Sequence, residues 1–219
     1  MSRFFEARSL ALGILGFSAA AAHADGHAVA AKAGLLGLGV EYTFSPNDFV
    51  SFRVGLNGSE LGFDAEESGI DYEFDFVWDS IGAAVDIHPF RGAWRVSAGL
   101  LRNDNRLEAL ARPNGAITVG DSSYDPAEIG QLSGRITFDD TAPFASIGWH
   151  WFRQRRLGFS FDFGVVKQGT PAVTLVASGP IASQPQVVDD IERERAELQD
   201  SLDDFDLMPF GTLGLVFRF

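Results

Sequence analysis

The strongest constraint on this chain is period-two alternation, and it is cleanest in the last nine residues, Gly211 to Phe219. Counting back from Phe219, every second residue is apolar: Phe217, Leu215 and Leu213. Between them stand Arg218, Val216, Gly214 and Thr212, which are smaller or more polar. Side chains of a strand point alternately to its two faces, so this segment is a strand with one greasy face. A chain that repeats such strands must close or pair them to satisfy their backbones.

The N-terminus reads as an export signal. Arg3 and Arg8 precede an apolar run from Leu10 to Ala21, and Ala22-His23-Ala24 has the small-residue pattern of a signal-peptidase site. The run is shorter than the roughly 20 residues a membrane helix needs. Residues 1–24 are therefore expected to be a cleaved signal peptide and 25–219 a single domain. The whole chain carries 17 basic and 30 acidic side chains, and removing Arg3, Glu6 and Arg8 takes its charge from −13 to −14. Nucleic acid is excluded as a partner, because phosphate binding needs a basic face. With no cysteine, disulfides and thiolate metal sites are excluded as well.

Taken in order, Leu36, Leu38, Val40, Tyr42 and Phe44 alternate with polar or small residues. The turn Ser45 to Asp48 leads into a second alternation of Val50, Phe52, Val54 and Leu56, which makes a hairpin. An acidic loop is expected over 57–69. A long strand follows over 70–88, with Tyr72, Phe74, Phe76 and Trp78 on one parity and Ile81, Ala83, Val85 and Ile87 on the other. A β-bulge between Trp78 and Ile81 accounts for that slip. Trp94 to Leu101 forms the next strand, and 103–132 a polar excursion with a small hairpin at 117–124. Residues 135–152 and 157–166 return to the sheet. Val173 and Leu175 keep the parity of the last of these, so that strand is expected to run on above the bilayer. Near the end, Ser183 and Gln186 form a capping box with Pro185 in the first turn. Val188, Ile191, Leu198, Leu202 and Phe205 then recur at helical spacing among nine acids in 186–206. Seven strands are clear. The eighth is either 25–33 or 172–178, and the first is preferred because it gathers the short turns at one end of the sheet and the long loops at the other.

Signal peptide, alternating strands, aromatic residues at turn ends (Trp94, Trp149, Trp151, Phe90 and Phe219) and a terminal Phe together resemble the small bacterial outer-membrane β-barrels of the OmpA/OmpX/OmpW type. The resemblance implies an all-β fold: an eight-stranded antiparallel transmembrane barrel with an amphipathic helix in the last long loop. It also implies the outer membrane as location, lipid and lipopolysaccharide as surroundings, and recognition of the C-terminal strand by the barrel-assembly machinery. It does not imply an activity, since the architecture hosts structural proteins, adhesins, narrow porins and enzymes.

The face opposite the apolar one carries Glu41, Arg53, Asp86, Arg95, Asp162 and Arg218. Inside an eight-stranded barrel these six form a lumen charge network, either as mutual pairing that fills the interior or as the lining of a narrow path. Inward glycines such as Gly37, Gly39, Gly55, Gly99, Gly148, Gly164 and Gly214 favour a path by leaving space. The expected function is a non-enzymatic outer-membrane protein, a narrow porin for small solutes. The alternative is a structural or surface-binding barrel acting through its acidic loops and helix. A lipid-modifying enzyme is the third reading, resting on His88 or His150, for which no serine partner is evident in sequence. The acidic stretches hold oxygen ligands of the kind calcium and magnesium take, but no spaced calcium-loop motif, so neither metal nor cofactor is assigned. Gly34-x-x-Gly37-x-Gly39 has the wrong spacing for a nucleotide fingerprint. The folded protein is expected to migrate differently on a gel before and after boiling and to fractionate with membranes. Recovery wholly in the soluble periplasm contradicts the barrel.

Overall fold

The computed structural model describes residues 26–67, 69–152 and 156–219, so the expected signal peptide and residues 153–155 of one turn lie outside the described residues. In chain order the elements are β1 (His27–Gly34), β2 (Gly37–Phe44), β3 (Val50–Glu67), β4 (Ile70–Ile87), β5 (Trp94–Asn103), β6 (Arg106–Pro113), β7 (Ile117–Val119) and β8 (Ser122–Tyr124). They continue as α1 (Pro126–Ile129), β9 (Leu132–Thr137), β10 (Thr141–Phe152), β11 (Leu157–Lys167), β12 (Ala172–Ala177), α2 (Pro185–Leu202) and β13 (Leu207–Arg218). Eight of these strands close a ring of antiparallel neighbours: β1, β2, β3, β4, β5, β10, β11 and β13, with β13 returning to β1. The first strand is thus the stave preferred from sequence. β12 is separate from β11, set off by residues 168–171, and is no part of the ring.

Alternation separates the two faces of each stave as the sequence requires. On β11, Phe159, Phe161, Phe163 and Val165 are exposed while Ser160, Asp162 and Val166 are buried. Val40, Phe52, Val54, Val96, Ile147 and Leu215 extend the same exposed apolar band around the ring. Such a surface is stable against hydrocarbon and unfavourable against water. At the short-turn end, Trp94 lies 6.2 Å from Trp149 and 5.6 Å from Phe90, ring centre to ring centre. Trp151 is exposed nearby, and Phe219 stacks on His27 and Phe217. These aromatics stand where a membrane interface would hold them.

Above the opposite rim the wall continues. β3 and β4 pair without interruption from Val50 opposite Ile87 to Glu67 opposite Ile70, so the expected acidic loop is the upper half of a strand. No bulge interrupts β4: Tyr72, Phe74, Phe76 and Trp78 share the pleat side of Ser80 and Asp86, which face the lumen. The slip in parity marks a change of surroundings. Within the bilayer the outer face is apolar, and above it the inner one is. There Phe63, Phe74, Phe76, Tyr72 and Trp78 stack in a row at ring spacings of 5.0 to 5.9 Å. β4 leaves β5 at Ser80 and takes β6 as neighbour from Val77; β9 and then β12 follow, building a five-stranded tier above the membrane. Gly37, at φ +85°, lets the tight β1–β2 turn tuck under Trp78, since a Cβ there would come within 2.9 Å of the Trp78 Cβ.

A small second core caps one end of the tier. Ile117 and Val119 of β7, Tyr124 of β8, Ile129 of α1 and Val187 of α2 bury against Ala177, with Ile70 and Leu132 beside them. The hairpin expected over 117–124 is therefore present and docked. The helix differs from expectation in two respects. Its N-cap is Gln184, without a side-chain bond, so Ser183 forms no capping box, although Pro185 does occupy the first turn. Its buried side presents Val187 and Asp190, leaving Val188, Leu198 and Phe205 exposed. Polar partners decide that rotation: the Tyr124 hydroxyl donates to Asp190 at 2.5 Å, and Arg193 bonds Asp190 and Asp121 at 2.8 Å each. Gly120, at φ +57°, keeps the hairpin turn within reach, because a Cβ would meet the Asp190 carbonyl at 2.9 Å.

Hydrogen bonds from Ser122 and Tyr124, with the charge of Arg193, hold the Asp190 carboxyl below the usual carboxylate range, while the bond to Asp190 and burial push the Tyr124 hydroxyl up. A depressed acid contributes stability above its unfolded pKa of about 4 and loses it on acidification. A raised phenol contributes below its unfolded pKa of about 10 and loses it as the solution turns more alkaline. Protection of the amides of β7, β8 and the first turns of α2 against hydrogen exchange, relative to the unfolded chain at the same pH, should therefore be greatest between these limits and fall below about pH 4 and above about pH 10. Tyr124→Phe should make the same amides exchange several-fold faster at neutral pH while the staves keep their protection.

Candidate functional site: the lumen charge network

An eight-stranded ring leaves an interior just wide enough for side chains, so a charge turned inward must find its partner among other side chains. The structure brings together five of the six charges expected there. Arg53 on β3 bonds Glu41 of β2 at 2.9 Å through Nη1 and Asp86 of β4 at 2.8 Å through Nε. Arg95 on β5 bonds Asp162 of β11 at 2.6 Å and approaches Asp86 at 3.9 Å. Arg53 and Asp162 stand 3.7 Å apart, joining the two halves. Asp86 and Arg95 are fully buried, and Asp162 nearly so.

Arg218 departs from the expectation. It has the inward parity of β13 but occupies the last rung, where it is exposed at the short-turn rim, beyond the layer in which the network forms. The sequence reading also missed members. Lys32 of β1 completes the ring, bonding Glu41 and Asp162 at 3.0 Å each. His150 of β10 hydrogen-bonds Arg95. Ser51 of β3 lies 3.1 Å from Asp86 and 3.0 Å from His88 Nε2, the serine neighbour that sequence did not reveal. The signal for Lys32 was weak because its strand otherwise carries alanines, and only the period-two count from Ala28 through Ala30 places it inward.

Inward glycines give room to the network more than to a solute. A Cβ on Gly148 would lie 2.5 Å from Asp162 Oδ1 and 3.0 Å from Arg95 Nε. On Gly214 it would meet Ser160 Oγ at 2.4 Å and Lys32 Cγ at 3.1 Å, and on Gly99 the Phe144 ring at 2.5 Å. Toward the tier the lumen turns apolar: Leu36, Leu101, Ala142, Val166 and Phe210 form a buried cluster, with Phe144 edge-on to Phe210 at 6.1 Å. A cavity of about 50 Å³ between the two layers is bordered by Lys32, Glu41, Arg53, Asn57, Asp162 and Thr212, room for a few waters at most.

A closed antiparallel ring of eight staves, apolar outside and charge-paired inside, with short turns at one end and a tall tier at the other, is a small outer-membrane β-barrel. No protein-family model matches the chain, and no curated protein sequence is significantly similar to it. Among solved structures it is similar to Acinetobacter baumannii CarO2, with 18% identity, 89% of this chain and 98% of that chain covered, and a TM-score of 0.64. It is likewise similar to Acinetobacter baumannii CarO, with 20% identity, the same coverages and a TM-score of 0.62. At this level of identity the likeness speaks for the fold.

Breaking a buried ion cluster by removing one partner leaves an uncompensated charge, at a cost of about 3–5 kcal/mol. Asp162→Asn takes from Arg95 its close carboxylate and leaves Lys32 with Glu41 alone, and is expected to lower stability by about that amount. Urea unfolding of the refolded barrel in micelles, followed by tryptophan fluorescence, measures it. Arg218→Gln, at the exposed rim, should change it by less than about 0.5 kcal/mol.

Proposed function

We propose that this protein is a non-enzymatic outer-membrane barrel that works as a surface-binding protein, acting through its extracellular tier, with the lumen serving as structural filling. The observation that carries this reading is the double closure of the lumen. A balanced set of three cations (Lys32, Arg53 and Arg95) and three carboxylates (Glu41, Asp86 and Asp162) is followed by the apolar layer around Phe144 and Phe210. The part beyond the rim, by contrast, presents five strands (β6, β7, β8, β9 and β12) and two helices more than a barrel needs to close. A catalytic role for Ser51 and His88 is disfavoured because Ser51 is 1% exposed and also bonded to Asp86.

The narrow-porin reading keeps one observation in its favour, the small polar cavity between the two lumen layers. Conduction would require Phe144 and Phe210 to part and the Arg95–Asp162 pair to open. Planar-bilayer recording of the refolded, signal-free chain separates the readings, with Glu41→Gln and Arg95→Gln alongside. Filling predicts silence from the wild-type chain. Steady small openings whose conductance changes in the two variants would replace this reading with the porin.

A further inference from the structure

The face of the tier opposite the aromatic row is charged and concave, and the lumen does not account for it. β4, β6, β9 and β12 border there a half-open hollow of about 570 Å³, of the size of small-molecule sites at about 300–1,000 Å³. Its lining carries both signs of charge: Glu73 and Asp75 stand on β4 at one edge, Glu108, Leu110 and Arg112 follow on β6, Ser133 and Arg135 on β9, and Thr174 and Val176 on β12 at the far edge.

Asp75 is the informative residue. It lies directly opposite Glu108 across the β4–β6 pair, an arrangement of like charges that destabilises a sheet. Glu108 is neutralised by Arg135 at 3.0 Å and Arg106 at 2.9 Å, and Glu73 by Arg112 at 2.9 Å. Among the described residues no basic side chain pairs with Asp75. Its carboxylate lies over Gly62, where a Cβ would come within 2.7 Å of Oδ1, so the absence of a side chain there leaves room for it. One edge of the hollow thus offers an uncompensated carboxylate. Beyond β6, Arg135, with a side chain 58% exposed, has donors to spare beside its bond to Glu108.

We propose that this cavity binds an extended zwitterion of about tripeptide length, its ammonium at Asp75 and its carboxylate at Arg135. The proposal rests on the surface-binding reading and names its ligand class. Asp75 and Arg135 are two strand spacings apart, about 10 Å. An extended tripeptide spans about the same distance, and a single amino acid does not reach both groups. The path crosses Glu108, in register between Asp75 and Arg135, whose carboxylate can accept from an amide N–H, while Leu110 and Ser133 beside it offer an apolar contact and a hydroxyl. Exposed ion pairs such as Arg135–Glu108 are worth at most about 1 kcal/mol, so rearranging one on binding costs little.

Calorimetric titration of the refolded, signal-free protein in micelles with trialanine tests this, with glycine and N-acetyl-trialanine amide as controls. Saturable binding of trialanine is expected, weakened about tenfold by either Asp75→Asn or Arg135→Gln, as loss of one charge-assisted bond implies. Neither control should bind. Absence of saturable trialanine binding overturns the proposal. Equal binding of the capped peptide, or wild-type affinity in both variants, does the same. Heat-shifted gel migration verifies that each variant has folded. A silent bilayer without trialanine binding removes only the ligand class, whereas a conducting bilayer removes the surface-binding reading beneath it.

Discussion

An eight-stranded wall leaves no space for bulk water, so every charge it turns inward depends on another charge across the lumen. The arrangement meets that condition almost stave by stave. Lys32, Glu41, Arg53, Asp86, Arg95, His150 and Asp162 come from β1, β2, β3, β4, β5, β10 and β11 in turn. β13 supplies Gly214, whose missing side chain makes room for the Lys32 stem. Three cations meet three carboxylates, so this layer of the barrel is neutral as a whole. The chain's large negative charge therefore resides mainly in the tier, the helix and the loops.

The wall also shows how one backbone serves two solvents. β3 and β4 run as a single register through the bilayer and above it, and the pleat never changes sides. What changes is which side is greasy. Ile81, Val85 and Val54 face outward in the hydrocarbon band, whereas Trp78, Phe76, Phe74 and Phe63 face inward once water replaces lipid outside. Glu73, Asp75 and Glu108 then occupy the outer face, where a charge would be unfavourable a few rungs lower.

That inversion explains where sequence reading succeeded and where it did not. The ring was legible because each stave carries its own alternation, and the girdle because Trp94, Trp149 and Phe219 sit beside turns. β4 misled because alternation reports a difference between faces and not which face is inside. The same parity slip fits a bulge or a change of medium, and only the unbroken pairing with β3 distinguishes them. β6, β9 and β12 were missed as a sheet because their partners are set by contacts distant in sequence. Lys32 was lost among alanines. Arg218 was included on parity alone, which says nothing of depth along the strand. Of the expected stripe Val188, Ile191, Leu198, Leu202 and Phe205, Ile191 packs against the second core while Val188, Leu198 and Phe205 stay exposed, because the bonds of Asp190 to Tyr124 and Arg193 fix the rotation of α2.

The two halves differ in how firmly their ion pairs are held. In the lumen, removing one partner of a buried pair costs about 3–5 kcal/mol. In the tier, ion pairs such as Arg112–Glu73 and Arg135–Glu108 are roughly half exposed and worth at most about 1 kcal/mol each, so a ligand can rearrange them at little expense. A molecule that must respond to a solute does so where its interactions are weak enough to exchange. Such weak pairs lie above the membrane, on a face where, among the described residues, no basic side chain pairs with Asp75.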